Sequence, residues 1–247
     1  MATVKDIYNY VDKIAPFSTQ EEWDNSGLLV GEENKEVSRI LFALDITSDV
    51  LNQAINANAE LIITHHPIIF KPVSNILSDS LLYKLIENGI SIISAHTNYD
   101  KAVDGVNDML CKVICATKYE KVEDACLNIA HFENSIFSDD FALYLRGKLG
   151  GVVRHNSLEK KVSKIAVCSG SGSDYLSLAK ELDCDALLTG DASHHDFLDA
   201  SEMDISLFAC GHFETENIAI KPLAERISNE FNIECIIAKQ NTPIITI

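Results

Sequence analysis

The sequence predicts an α/β protein made of two related α/β domains, each a mainly parallel sheet covered by helices. Three observations predict it: an internal repeat, alternation of strand-like and helix-like apolar spacing, and polar residues that recur where predicted strands end. Val37-Ser38-Arg39-Ile40 resembles Val162-Ser163-Lys164-Ile165 at an offset of 125. At the same offset Leu61-Ile62-Ile63-Thr64 falls on Ala186-Leu187-Leu188-Thr189. Later the offset becomes 116, aligning Ala95-His96-x3-Asp100 with Gly211-His212-x3-Glu216 and leaving the second copy nine residues shorter.

Each copy reads strand, helix, strand, helix, strand. The first has strands near 38–44, 61–64 and 91–95, with helices near 48–58 and 79–88. Val50, Leu51, Ala54 and Ile55 recur at helical spacing in the first of these helices. The second copy has strands near 163–168, 186–189 and 206–210, with helices near 173–183 and 194–203. A further helix after Asp104 puts Val106, Met109, Leu110, Val113 and Ile114 on one stripe. Residues 116–160 read as an irregular connector holding one short helix near 139–149, with Gly150-Gly151 as its stop. A helix near 216–230, broken or kinked by Pro222, and a strand near 233–238 return to the first half. The expected domains are therefore 1–115, completed by 212–247, and 116–211, which comprises the connector and the second α/β domain.

The 247 residues are 47% hydrophobic and 23% charged, enough for a sizeable core without disulfides. Lys and Arg total 20 against 37 Asp and Glu, a formal charge of −17. A surface so acidic repels phosphates and anionic lipids, which excludes nucleic-acid or membrane binding through a broad basic face. No apolar run is long enough to cross a bilayer and no signal peptide is visible. Seven scattered cysteines read as core-filling thiols of a reducing compartment, so a cytoplasmic location is expected. Cys111 and Cys115, four apart on one helix, read as buried packing.

Ligands of open parallel sheets bind beyond the carboxyl ends of strands. Six of the eight histidines fall at such ends: His65-His66, His96 with Asp100, His194-His195 with Asp191, and His212 with Glu216. Imidazole with carboxylate and no cysteine is a ligand set for Zn, Fe, Mn, Co or Ni. Adjacent His65 and His66 project differently from an extended chain, which suits two ions better than one. Taken singly, each of these groups also reads as a loop or a satisfied core histidine, and Asp104 reads as a helix cap. Ser169, Gly170, Ser171 and Gly172 read equally as a phosphate-holding turn at a helix start or as a plain strand-to-helix turn. Trp23 is expected to pack and Asn25 to help form a turn, with a binding role for Asn25 the weaker alternative.

Trp23-Asp24-Asn25-Ser26-Gly27-Leu28, Thr64-His65-His66-Pro67, His96-Thr97-Asn98-x-Asp100, Gly105-Val106-Asn107-Asp108, Gly190-Asp191-x3-His195 and Gly211-His212-x3-Glu216 together resemble the GTP cyclohydrolase I type 2 homologue family (Nif-3-like dinuclear metal proteins). The resemblance covers nearly the whole chain in order. It implies two divalent metal ions in the cleft between the domains, held by His65, His66, Asp100, His212 and Glu216. It also implies a toroidal homohexamer, without the extra domain that longer members insert between the halves. Tyr99 stands where leucine is more usual. The implied reaction is attack of metal-activated water on the purine ring of GTP, with release of formate. His96 and His195 are then the candidate proton carriers, their ordinary pKa lying near working pH. The same ligand set also serves a two-metal phosphoesterase or amidohydrolase acting on another substrate. A non-catalytic metal-binding scaffold is the third alternative.

Overall fold

The structure, a computed structural model, describes residues 1–156 and 159–245. The chain forms two compact units, Met1–Val103 with Ala219–Asn241, and Asp104–Ile218 with the C-terminal end from Thr242. In the first unit, β1 (Ala2–Thr3) leads into α1 (Val4–Ile14). Thr3 and Asp6 cap α1 reciprocally, and its Val4, Ile7 and Val11 are buried on one face. There follow β2 (Gly27–Val30), β3 (Glu36–Val37), β4 (Arg39–Ala43), α2 (Ser48–Ala57), β5 (Leu61–Thr64), α3 (Leu81–Glu87), β6 (Ser91–Ser94) and α4 (Thr97–Lys101).

The second unit runs α5 (Val106–Val113), β7 (Lys118–Lys121), β8 (Asn128–Phe137), α6 (Ser138–Leu149), β9 (Arg154–His155), β10 (Lys161–Val167), α7 (Leu176–Glu181), β11 (Ala186–Thr189), α8 (His194–Glu202), β12 (Ser206–Ala209) and α9 (His212–Glu216). A 3-10 turn at Asn217–Ala219 then leads to α10 (Ile220–Phe231) and β13 (Glu234–Ile237), which rejoin the first unit. The first unit's main sheet has the order β13-β4-β5-β6-β2, parallel except at β2. The second has the order β7-β8-β10-β11-β12-β9, with a parallel centre and antiparallel strands on both flanks. Leu41, Val50, Leu51, Ala54, Ile62 and Ile92 form one apolar layer of the first unit.

The repeat is preserved down to the hydrogen-bond register. Ile40 pairs with Leu61 and Ile165 with Ala186, both partners shifted by the offset read in the sequence. Glu60 accepts from the Ser38 and Arg39 amides at 3.0 and 2.9 Å. Asp185 accepts from Ser163 and Lys164 at 2.8 and 2.9 Å. Each carboxylate thus pins the start of its first repeat strand. Burial alone would raise the Glu60 pKa, but these hydrogen bonds outweigh it and hold the carboxyl below its ordinary value. Its stabilisation is therefore complete above the unfolded carboxylate range, about pH 4, and is lost as pH falls through the folded value. Glu60→Gln is expected to lower stability by about 1 kcal/mol at neutral pH, after allowing for partial exposure, and to match the parent in acid. Urea unfolding at two pH values checks this.

Several expectations are corrected. Residues 116–160 are not an irregular connector: β7 and β8 extend the second sheet, with Lys164 opposite His131 and a register shift between Val162 and Lys164. The polar run His131, Glu133, Asn134, Ser135 masks β8 in the sequence, because its pairing with β10 rather than side-chain alternation makes the strand. The observed unit boundaries also differ from 1–115 and 116–211. Residues 104–115 belong to the second unit because Leu110, Cys111 and Ile114 of α5 and its end pack with Phe141, Val162 and Ile165. Ser157, Leu158, Thr246 and Ile247, covered by those expected ranges, lie outside the described residues.

Pro222 breaks nothing. It sits in the first turn of α10, where its missing N–H is not needed, and the break falls at the preceding 3-10 turn. Asp104 is not the cap of α5: the N-cap is Gly105, while Asp104 adopts φ 56° and pairs with Lys112. Cys111 is buried as expected, its thiol pushed up to about 12 by burial. Cys115 is exposed beyond the helix end, its pKa lowered by the hydrogen bond from Lys148.

Candidate metal centre

In the first unit the ligating side chains follow from strand ends. His65 and His66 leave β5, His96 follows β6 as the cap residue of α4, and Asp100 lies on α4. His65 is 2% exposed and donates Nδ1–H to the Ala95 carbonyl at 2.8 Å. A carbonyl only accepts, so Nδ1 carries a proton, and in the neutral ring Nε2 carries the lone pair. The same logic applies to His66, whose Nδ1 donates to Asp45 Oδ1 at 2.7 Å, and to His96, which donates to Asp24 Oδ1 at 2.8 Å. The three rings lie 5.1 to 5.4 Å apart. One ligand atom from each falls within 4.8 Å of the others, a grouping able to hold a metal ion. Asp100 is 7% exposed, with Oδ1 3.5 Å from His65 Nε2.

The second unit repeats the arrangement. His212 opens α9 directly after β12 and donates Nδ1–H to Asp191 Oδ2 at 2.7 Å. Its Nε2 lies 3.1 Å from Glu216 Oε2, one helical turn away and almost fully buried. Within the strands preceding these histidines the repeat offset is 115, since Ser91 and Ser206 hold equivalent registers, against 116 at the histidines themselves. The additional residue is Gly211, with φ 92° and no room for a Cβ beside Glu214. It leads the chain into α9 as its cap residue, and the four-residue spacing then puts His212 and Glu216 on one face of the helix.

All four imidazoles therefore have Nδ1 committed to a carbonyl or carboxylate, the arrangement that fixes the tautomer and ring orientation of metal-binding histidines. Sequence reasoning missed two of those carboxylates, Asp24 and Asp45. Asp45 could have been found, because it follows β4 as the histidines follow their strands. Asp24 accepts from Asn25 N, Ser26 Oγ, His96 Nδ1, Thr97 N and Thr97 Oγ1 at 2.5 to 3.1 Å. Burial favours its neutral form, but those hydrogen bonds win and hold its pKa well below the usual carboxylate range. Tyr99, at the leucine position, is core, with its hydroxyl donating to the Ala219 carbonyl at 3.3 Å.

Other expected site residues fall elsewhere. His96, read as a proton carrier, belongs to the group of ligand atoms with His65 and His66. His195 is exposed on the first turn of α8, stacked edge-on against His194, and among the described residues it joins no group able to hold a metal. Three of the four amides of the Ser169–Gly172 turn are engaged within the protein. The amides of Ser169, Gly170 and Gly172 donate to Asn107 Oδ1, Thr215 Oγ1 and Thr189 Oγ1 at 2.8, 3.1 and 2.8 Å. Ser171 is exposed, its hydroxyl directed to Asp191. The glycine at 170, φ 60°, instead lets the turn pass against Glu216 and His212, where a Cβ would collide with the Glu216 carboxylate. Trp23 does not pack inward but is 59% exposed, and the Asn25 side chain donates to the Ile69 carbonyl at 2.6 Å.

These features define an α/β protein of two repeated units, each presenting an imidazole and carboxylate cluster at the carboxyl ends of its strands. The sequence model of Duf34/NIF3 (NGG1p interacting factor 3) matches residues 2–243, and the chain belongs to that family. It is 34% identical to a Clostridium acetobutylicum protein named GTP cyclohydrolase 1 type 2 homolog, over 98% of this chain and 94% of that one. It is 33% identical to a Helicobacter pylori protein named GTP cyclohydrolase 1 type 2, over 99% of both. A Staphylococcus aureus hypothetical protein of known crystal structure superposes with a TM-score of 0.92 at 30% identity, covering 99% of both chains. Among the described residues no helix is long and apolar enough to cross a membrane.

Proposed function

We propose that this chain is a metal-dependent hydrolase whose two divalent ions are held by His65, His66, His96 and Asp100 of the first unit and by His212 and Glu216 of the second. The observation that carries the reading is that all four histidines engage a carbonyl or carboxylate through Nδ1, the arrangement that orients metal-binding imidazoles. Carboxylates joined to imidazoles, without cysteine, fit Zn, Fe, Mn, Co or Ni. Such ions supply acidified water and polarisation of the bond to be cleaved. The chain's own residues do the rest. Asp24, Asp45 and Asp191 hold their histidines in one tautomer and orientation, and Glu216 is kept in place by the turn around Gly170. His195, exposed and outside the ligand groups, is the proton carrier on this reading.

The names of the relatives favour GTP as substrate, with hydrolysis of its purine ring and release of formate. Incubating metal-loaded protein with GTP tests this: formate with a pterin product supports it. Phosphate alone indicates a two-metal phosphoesterase instead, and silence across a nucleotide panel indicates a scaffold. His195→Ala is expected to reduce turnover at least tenfold, within the range of general acid–base contributions, with metal content unchanged by elemental analysis. A cytoplasmic homohexamer is part of the same proposal. Exposed Phe137, Leu143 and Val152 supply apolar surface for self-association, which analytical ultracentrifugation would read.

A further inference from the structure

Two large aromatic side chains stand exposed beside the first unit's histidine cluster. Trp23 is 59% exposed and Phe70 47%, and their rings lie 5.7 Å apart. Both meet the His96 ring edge-on, at 6.0 and 6.1 Å. A lone exposed aromatic needs no explanation, but two in contact at the edge of one ligand imidazole are a different matter. Both are also held in place from the backbone. The carboxylate of Asp24, next to Trp23, accepts five hydrogen bonds, and Asn25 clamps the Ile69 carbonyl beside Phe70 at 2.6 Å. Both exposed rings thus stand on backbone tied down by these hydrogen bonds.

We infer that Trp23 and Phe70, tilted 41° to one another, form an aromatic platform for the planar base of a purine nucleotide, one ring stacking on the base's face and the other meeting its edge, beside His96. The inference deepens the hydrolase reading and rests on it for the choice of a purine. Charge supports recognition through the base: the chain carries a net −17, and three of the four amides of the Ser169–Gly172 turn are already engaged by Asn107, Thr215 and Thr189. A neutral ring stacked on aromatic faces needs no cationic surface, and one base stacked on one aromatic ring typically changes affinity by about tenfold or more.

Trp23 is the only tryptophan in the chain, so its fluorescence reports directly on the platform. The full-length protein, with and without metal, is titrated with guanosine, GTP and tripolyphosphate. Saturable quenching by guanosine and GTP but not by tripolyphosphate is expected, with Phe70→Ala weakening guanosine binding about tenfold and Phe70→Tyr restoring it. Quenching by tripolyphosphate without guanosine, or guanosine binding unchanged in Phe70→Ala, overturns the inference. So does an emission shift that follows protein dilution alone, which would mean that a second copy covers the rings. Guanosine quenching in a protein that retains no metal would sink the hydrolase reading and leave the platform standing. Bound metal with no guanosine response would do the reverse.

Discussion

Replacing His96 with alanine is expected to strip metal from the protein as well as turnover. It offers one ligand atom within 4.8 Å of those of His65 and His66, and its Nδ1 is tied to Asp24. A proton carrier could be lost with the metal left in place, whereas a ligand cannot. The expected outcome is a fall of at least a hundredfold in metal affinity at the weaker site, read by competition with a chromogenic chelator. Asp24→Asn should cost about ten- to a hundredfold, the usual effect of removing the carboxylate that orients a metal-bound histidine. Asparagine retains an acceptor oxygen for His96, so the fold is expected to survive with the imidazole less firmly oriented. Undiminished metal in His96→Ala would return this residue to the role of proton carrier.

Gly170→Ala is expected to damage both the stability and the metal binding of the second unit. The position has φ 60°, which strains an L side chain by about 1–3 kcal/mol, and the added Cβ would collide with the Glu216 carboxylate and crowd His212. Glu216 is nearly buried, so its carboxylate has little room to move aside without losing its place beside His212 Nε2. A lowered melting temperature together with loss of metal is the expected result. Full metal content at reduced stability would show that the glycine serves only the turn. The control is Gly147→Ala on α6, where a Cβ meets nothing within 4 Å and alanine favours the helix.

The fold was legible where local sequence and tertiary structure agree. The repeat announced the parallel strands because β4, β5, β11 and the second half of β10 are buried, or nearly so, and read as continuous apolar runs. Its turns carry matching left-handed residues as well, Asn58 and Asp183 both at φ 52°. Strand β8 was not legible because half of it faces solvent and its hydrogen bonds come from β10, some thirty residues further along the chain. The loop at Ser169–Gly172 looked able to hold an anion because nothing local reveals that Asn107, Thr189 and Thr215 occupy its amides.

Among the site residues, His65, His66, Asp100, His212 and Glu216 could be chosen from strand ends and helical spacing combined with the family resemblance. The neighbour that gives His96 its tautomer could not. Asp24 precedes His96 by 72 residues, and only the folded unit brings the two side chains together. Trp23 misled for a related reason: a tryptophan is a good core residue by composition, and only its surroundings show that this one is displayed.

Elemental analysis of protein purified without chelators tests the central claim most directly. Two divalent ions per chain are predicted, with His66→Ala and His212→Ala each losing metal while their far-UV circular dichroism stays unchanged. A chain that carries no stoichiometric metal, or one whose metal content is indifferent to both substitutions, would contradict it.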